Sequence, residues 1–428
     1  MTLLALSTWC IGMMCLARFI CKNWLNHLTL YTLVWTTSLF AYELHWIRYN
    51  SITDESWLYI MVAWISIYLG SAAAMAGSKV PPPKVTVNSL ARLRLAIVLL
   101  SIGGLISCAV LAIQIMREID PNLLMAVTVG APKIYAASFE ETGQFTGIPY
   151  LGFLPFAAAP LAGVYAASKG RIGWVALLPL IVATITGILS VSRFDMLLSC
   201  ALFLIALALS PKPHMLSFSR IQKAVLAITC LVGIVFVSLA RTDLISSLPD
   251  EQPALTSVAE WIPVAPSLYF YVSGPAVGFS EYLQNDIREA NSPWGRYTFA
   301  SVYRFMSKLG LATYVPFHQD FYSTPEPVNT CTFLRELHSD FGVTGLFVVP
   351  GILGFAATRL SRNRGNLLAL TLLAYLYVVI AFSFTFLVAA TGQWFQGLSA
   401  SVITALLLGC SSRQRSANGV LRAQLLGG

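Results

Sequence analysis

The residues best suited to chemistry lie in one short stretch, VNTCTFLRELHSDFG, at residues 328–342. A guanidinium, two carboxylates and an imidazole lie close together there, on Arg335, Glu336, Asp340 and His338. A carboxylate or a neutral imidazole can take the proton of a hydroxyl group, and a guanidinium can bind an anionic leaving group. The stretch therefore predicts acid–base chemistry on a negatively charged substrate, with the base left open among Glu336, His338 and Asp340.

We predict that these residues lie on a helix that begins at about Thr330. Two prolines shortly before it favour an extended approach, and Asn329 lies where an N-cap residue belongs. On such a helix Glu336 and Asp340, four residues apart, place two like charges on one face. Like charges at this spacing are rarely kept for stability alone, which favours a functional role.

The same residues do not predict a metal site. Glu336, His338 and Asp340 stand at positions i, i+2 and i+4, and on a helix position i+2 faces away from the other two. The sequence also has no glycine-rich phosphate loop of the nucleotide-binding kinds. We therefore predict chemistry without a metal or another cofactor.

Arginines near the ends of apolar runs predict an anion site. Arg193 lies in SVSRFDM and Arg241 in LARTDL, and Arg335 precedes a third apolar run. The planar fork of arginine suits phosphate, so these three residues predict a site for a lipid-linked pyrophosphate. The alternative is that each arginine snorkels to the membrane surface or pairs with a nearby acid, such as Asp195 or Asp243.

Other candidates could contact sugars. Tyr269 and Tyr271 lie in SLYFYVSGPAVGF, where their rings could stack on sugar rings, and Asn329 is a third candidate for glycan binding. The alternative for the tyrosines is anchoring in the headgroup region of a membrane.

The elements that must position these residues are membrane-spanning helices. The chain has 428 residues, of which 57% are hydrophobic and 11% charged, and its mean hydropathy is +0.71. Apolar stretches near the ~20 residues that cross a bilayer predict about eleven spans in an all-α bundle. The predicted spans are residues 2–20, 28–46, 57–77, 95–116, 149–168, 172–191, 195–210, 221–240, 341–358, 366–389 and 394–410.

Lys and Arg residues collect in alternate connections between these spans, and those connections contain no acid. The positive-inside rule then predicts an external N-terminus, a cytoplasmic C-terminus and external acids. The formal net charge of +8 is dispersed in this way, so nucleic-acid binding is not predicted.

We predict one integral membrane domain, residues 1–428, with two long external loops at 117–148 and 242–340. The second loop forms a subdomain inserted between the eighth and ninth spans. Within it, residues 261–280 are uncharged but rich in proline and glycine. We expect this segment to be interfacial or re-entrant, with a broken backbone.

Four stretches together carry a family resemblance. They are SRFDMLL at 192–198, ARTDL at 240–244, SLYFYVSGPAVGF at 267–279 and VNTCTFLRELHSDFGVTGL at 328–346. With the order of spans and loops, they resemble the bacterial O-antigen polymerases of the Wzy type, although the spacing from Arg335 to Gly345 departs by one residue from an arginine–glycine motif of that family.

The resemblance implies a GT-C-like, metal-independent glycosyltransferase of the bacterial inner membrane. It would move a growing glycan from undecaprenyl pyrophosphate to a lipid-linked repeat unit at the periplasmic face. Arg193, Arg241 and Arg335 would then bind the pyrophosphate, while an acid or His338 would activate the acceptor hydroxyl. A flippase and a chain-length regulator of the same pathway are implied as partners.

Three other functions stay open at this point. An O-antigen ligase would use the same donor with lipid A core as acceptor. A polysaccharide or lipid transporter would be expected to carry charges inside its spans, and few are present. A non-catalytic scaffold of the polysaccharide machinery is the third alternative.

Overall fold

The computed structural model is almost entirely α-helical, which confirms the predicted all-α class. The residues that it describes are 3–47, 49–76, 90–130, 134, 147–148, 150–210, 265–285, 294–314, 322–324, 327–328 and 330–426. The candidates Arg241 and Asn329 and the predicted span 221–240 lie outside the described residues, as does most of the predicted loop 117–148 after residue 130.

The described part of the chain contains fourteen α-helices, two short 3₁₀ helices (Leu151–Phe153 and Val388–Ala390) and one small antiparallel sheet. The helices are α1 (Leu3–Cys21), α2 (His27–Glu43), α3 (Asp54–Met75), α4 (Leu90–Glu118), α5 (Leu123–Val129), α6 (Leu154–Lys169), α7 (Trp174–Leu189), α8 (Arg193–Leu209), α9 (Ala265–Asn285), α10 (Ala300–Lys308), α11 (Leu334–Phe341), α12 (Val343–Arg362), α13 (Leu367–Phe382) and α14 (Gly392–Leu426). The strands β1 (Tyr322–Ser323) and β2 (Pro327–Val328) pair with Tyr322 opposite Val328.

Among the residues that the structure describes, five helical segments are long and apolar enough to cross a membrane, which supports a membrane protein. They are Leu3–Cys21, Asp54–Met75, Leu90–Glu118, Leu151–Lys169 and Val343–Arg362. Two shorter apolar helices, Trp174–Leu189 and Leu367–Phe382, coincide with further predicted spans. The total of about eleven spans stays a prediction.

The chain divides into two compact units. The first includes residues 1–79, 238–359 and 376–395, and the second includes residues 80–237, 360–375 and 396–428. The first unit therefore contains the stretch with Arg335, and the second contains Arg193.

The core of the first unit is an aromatic cluster on α2 and α3. Trp35 and Trp64 are fully buried, with ring centroids 6.4 Å apart, and Tyr31 packs edge-on against Trp64 at 5.8 Å. The indole Nε1 of Trp35 donates a hydrogen bond to Ser383 Oγ at 2.9 Å. This cluster connects α2 to the end of α13, and the ring of its Trp35 also contacts Phe333, directly before α11.

Helix α12 packs against α3 at glycines. A Cβ atom added to Gly70 would lie 1.9 Å from the carbonyl oxygen of Gly351, and one added to Gly354 would lie 2.1 Å from that of Ile67. Only glycine allows the two backbones to approach so closely, as in other helix pairs within membranes. The contact fixes the helix that follows the candidate site.

The core of the second unit is α6, which is buried along most of its length. Its Gly163 meets α8, where an added Cβ would lie 2.4 Å from the carbonyl oxygen of Phe203. Tyr375 donates a hydrogen bond to the carbonyl oxygen of Phe156 at 3.0 Å, and Ser401 donates one to that of Ala157 at 3.1 Å. These contacts hold α13 and α14 against α6.

Helix α9 differs from the broken segment predicted for residues 261–280. It is continuous from Ala265 to Asn285, with Pro275 inside it. Proline removes one backbone hydrogen bond, but a neighbouring helix can compensate. The carbonyl oxygen that residue 275 would bond in a regular helix is that of Tyr271, and at the adjacent position Ser38 on α2 donates to the carbonyl oxygen of Val272 at 2.6 Å. The predicted break is therefore wrong for the described part of the segment, while its interfacial position stays a prediction.

Candidate functional site

The helix that carries the candidate residues begins later than predicted. Helix α11 starts at Leu334, and Phe333 occupies the N-cap position without a side-chain cap. The predictions of a start at about Thr330 and of Asn329 as N-cap are therefore wrong. The reason is tertiary packing, because Phe333 is buried 6.3 Å from the ring of Trp35 and its N–H donates to the carbonyl oxygen of Ser383 at 2.9 Å.

Gly342 separates the candidate residues from the following candidate span. Its φ of +63° and ψ of −154° lie in a region that only glycine adopts without strain. Its N–H donates to the carbonyl oxygen of His338 at 2.8 Å, which ends α11. The apolar run predicted from Phe341 thus begins as a separate helix at Val343, and α11 stands as a short helix at its mouth.

Arg335 and Glu336, adjacent in sequence, form a buried ion pair. The Nη2 atom of Arg335 donates to Oε1 of Glu336 at 2.6 Å, and the two residues are only 2% and 6% exposed. Burial by itself lowers the pKa of Arg335, but the carboxylate of Glu336 and smaller contributions from nearby groups together hold that pKa above its ordinary value. The guanidinium is therefore charged at every physiological pH.

This ion pair is incompletely satisfied. Within the described ranges, Nε and Nη1 of Arg335 and Oε2 of Glu336 have no hydrogen-bond partner. Leaving a buried polar group without a partner costs roughly 1–3 kcal/mol, and more for a charged group. Such groups in a folded protein call for an explanation, and a ligand that accepts hydrogen bonds from the guanidinium is one.

His338 belongs to a chain of hydrogen bonds on the next turn. Ser339 Oγ donates to the hydroxyl of Tyr282 at 2.8 Å, and that hydroxyl lies 3.1 Å from Nδ1 of His338. The ring of Tyr59 lies beside the imidazole, with centroids 5.8 Å apart. His338 is half-buried, and its Nδ1 is held by the hydroxyl of Tyr282.

This chain couples the tautomer of His338 to Tyr282. Because Ser339 donates to the phenol oxygen, the proton of Tyr282 is available for Nδ1, and the neutral ring then carries its own proton on Nε2. For Nε2 to accept a proton from a substrate, the hydroxyl of Tyr282 must turn and accept from Nδ1–H. Tyr282 is not among the residues predicted from the sequence, because nothing in the local sequence connects it to a residue on α11.

Asp340 has a different set of partners. Its carboxylate accepts hydrogen bonds from the backbone N–H groups of Tyr297 at 3.0 Å and Thr298 at 2.5 Å. Burial raises the pKa of Asp340 above its ordinary value, although these N–H groups partly oppose the rise. This geometry favours a structural role, in which Asp340 holds the turn at 294–299 against α11.

The candidate acids and the imidazole thus face different partners. Glu336 pairs with Arg335, His338 contacts Tyr282, and Asp340 binds backbone N–H groups. Among the residues that the structure describes, no group of His, Cys, Asp and Glu could hold a metal ion.

Arg193 lies at the turn between α7 and α8 in the second unit. It is buried, as is Asp195, whose carboxylate accepts a hydrogen bond from Ser190 Oγ at 3.3 Å. Val191 has a φ of +52°, which is strained for a β-branched residue. The proposed sharing of one pyrophosphate by Arg193, Arg241 and Arg335 stays a prediction.

The two candidate tyrosines lie on α9. The hydroxyl of Tyr269 donates to the carbonyl oxygen of Ala41, and its ring stacks on Trp46 with centroids 5.1 Å apart. Tyr271 is half-buried. Because Tyr269 is engaged by the protein and Trp46 is largely exposed, this pair favours the anchoring alternative over sugar stacking.

No protein-family model, curated protein or solved structure matches this chain.

Proposed function

We propose that this membrane protein is a polysaccharide polymerase of the Wzy type with a GT-C-like fold. It would transfer a growing glycan from undecaprenyl pyrophosphate to a hydroxyl of an incoming lipid-linked repeat unit. The reaction would take place at the periplasmic face of the bacterial inner membrane. The apolar helices and the resemblance of the four stretches support this proposal. The observation that carries it is the buried guanidinium of Arg335, two nitrogens of which have no partner among the described residues.

Arg335 has the properties of an anion-binding residue rather than of a simple ion-pair partner. A guanidinium has five N–H donors, and the contact with Glu336 involves only Nη2. Two of its three nitrogens stay without a partner among the described residues, although the side chain is buried. A diphosphate supplies the several acceptor oxygens that such a group needs.

The neighbouring residues supply the other parts of a glycosyl transfer. In the proposed step, the acceptor hydroxyl oxygen attacks the anomeric carbon of the donor, and its proton passes to Nε2 of His338. The bond from the anomeric carbon to the diphosphate oxygen breaks, and undecaprenyl pyrophosphate leaves with the electron pair. Arg335 stabilises the charge that develops on that leaving group. Once the hydroxyl of Tyr282 accepts a hydrogen bond from Nδ1–H, it holds His338 in the tautomer whose Nε2 can take the proton.

The test is polymerisation by purified protein in liposomes that contain lipid-linked repeat units. The parent protein should convert single units into a ladder of longer glycans, and Arg335→Ala should abolish the ladder. Arg171→Ala is the matched control, because Arg171 is exposed and belongs to the second unit, whereas Arg335 belongs to the first. A normal ladder from Arg335→Ala would exclude the proposed role of Arg335.

The same assay separates the alternatives. A ligase would form no ladder from repeat units alone but would transfer glycan once lipid A core is added. A transporter would move labelled lipid across the liposome membrane without forming a new glycosidic bond. Either result would refute the assignment of this protein as a polymerase.

A further inference from the structure

Helix α10 turns its polar side towards the protein. Ala300 and Ser301 are buried, and Ser301 Oγ donates to the carbonyl oxygen of Ala390 at 2.5 Å. One turn further along, Arg304 is half-buried, and burial lowers its pKa. Ser307 is also half-buried and donates to the carbonyl oxygen of Arg304 at 2.9 Å. The residues on this face are small or polar.

The opposite side of the helix is apolar and exposed. Val302, Phe305 and Leu309, at i, i+3 and i+7, share one face and are 37%, 45% and 58% exposed. Phe299 before the helix and Leu311 after it extend this surface, at 47% and 65%. We refer to these five residues as the α10 apolar face.

This orientation is the reverse of that in a water-exposed helix. In water, an amphipathic helix buries its apolar side against the protein and presents its polar side to the solvent. A contiguous apolar surface that remains exposed marks a binding site for a protein or a membrane. The α10 apolar face therefore has a partner of low polarity.

The charges around the face indicate which partner it is. Residues 294–314, WGRYTFASVYRFMSKLGLATY, contain three cationic side chains and no acid. Exposed Trp294 and Tyr314 flank the helix, and aromatic residues of this kind concentrate at the membrane surface. An amphipathic helix with an apolar face, basic residues and neighbouring aromatic rings is typical of one that lies in a lipid headgroup region.

We propose that α10 lies in the plane of the membrane surface, with the α10 apolar face in the hydrocarbon of the adjacent leaflet and Lys308 at the phosphates. Under the predicted topology this is the outer leaflet. Part of the predicted 242–340 loop is then embedded in lipid. The proposal rests on the membrane character of the chain and is independent of the polymerase assignment.

Such a position would set the depth of α11 relative to the bilayer. Trp294 packs edge-on against Phe341 with ring centroids 4.7 Å apart, and Asp340 binds the backbone of Tyr297 and Thr298. The segment that carries the α10 apolar face is thus attached directly to the end of α11. Lipid contact at α10 would hold Arg335 and His338 near the level of the headgroups.

Quenching by brominated phosphatidylcholine in nanodiscs tests this position. An environment-sensitive fluorescent amino acid would be incorporated at Phe305, at Ile352 on the exposed side of α12, or at Gln284 at the exposed end of α9. We expect quenching at position 305 to be at least half of that at 352, and quenching at 284 to be near the background. Quenching at 352 shows in each preparation that the protein is inserted.

A matched pair of variants tests whether the apolar face is the cause. With the probe at Leu311, Phe305→Asp should lower the quenching at least twofold, while Phe305→Leu should leave it unchanged. Absence of quenching at 305, with normal quenching at 352, would overturn the proposal. A photo-crosslinking amino acid at position 305 tests the other occupant. If it captures a second copy of the chain, the α10 apolar face is a protein interface and the proposal is equally wrong.

Discussion

At the scale of single residues, substitutions of the buried pair Arg335 and Glu336 distinguish its contribution to stability from its contribution to polymerisation. Because a guanidinium keeps its proton at every physiological pH, even when it is buried, the charge of Arg335 is not lost when Glu336 is removed. Glu336→Leu should therefore lower the free energy of unfolding by about 3–5 kcal/mol, the usual cost of leaving a buried charge unpaired. Thermal unfolding of the detergent-solubilised protein measures this loss.

The double variant Arg335→Met/Glu336→Leu should recover most of that stability, because a buried ion pair can often be replaced by apolar side chains. It should nevertheless form no glycan ladder. Glu118→Leu, at the exposed end of α4, is the control and should change stability by less than about 0.5 kcal/mol. A stable double variant with normal polymerisation would show that the pair is only structural.

Tyr282 provides a second prediction at this scale. Tyr282→Phe removes the hydroxyl that contacts Nδ1 of His338, so the imidazole should lose its fixed tautomer. We expect kcat to fall roughly tenfold or more with little change in KM, since general-base catalysis contributes about 10²–10⁴-fold. Combining this change with His338→Ala should add little further loss.

Tyr49→Phe is the matched control for Tyr282→Phe. The hydroxyl of Tyr49 also bonds within the first unit, to Ser273 Oγ at 2.7 Å, but it is not part of the chain of hydrogen bonds at His338. Tyr49→Phe should therefore leave kcat unchanged. Equal losses of kcat in the two phenylalanine variants would point to general destabilisation and against a positioning role for Tyr282.

At the scale of elements, Gly342 forms the break between α11 and α12 that positions the candidate site. Gly342→Ala would force a side chain into the φ and ψ values that separate α11 from α12, at a cost of about 1–3 kcal/mol. We expect a lower unfolding midpoint and a loss of polymerisation, because α11 would shift. Gly12→Ala is the control, since an added Cβ in α1 meets no atom within 4 Å and should be neutral or stabilising.

The same elements show what the sequence could predict. Apolar length alone predicts the long helices, because a span must satisfy its backbone hydrogen bonds internally. The start of α11 could not be predicted from Asn329, since the burial of Phe333 against Trp35 decides it. The contact of His338 with Tyr282 joins residues 56 positions apart, and no local pattern encodes it.

At the scale of the whole molecule, the position of α9 determines the topology. The helix has 21 residues and is therefore about 30 Å long, enough to cross the hydrocarbon. The length of α9 therefore does not decide whether the helix crosses the membrane. The distribution of Lys and Arg residues in the connections does. If α9 crossed, the connection with Arg359, Arg362 and Arg364 would become external, against the positive-inside rule.

Reporter fusions after Lys212, after Arg364 and at the C-terminus resolve this point. With α9 at the surface, a green fluorescent protein should fluoresce at all three sites, and alkaline phosphatase should be inactive at all three. The Lys212 fusion is the internal control, because its cytoplasmic side does not depend on α9. Phosphatase activity at Arg364 and at the C-terminus, but not at Lys212, would show that α9 crosses. In that case the basic connection lies outside, and the headgroup-level position proposed for α11 would have to be assigned anew.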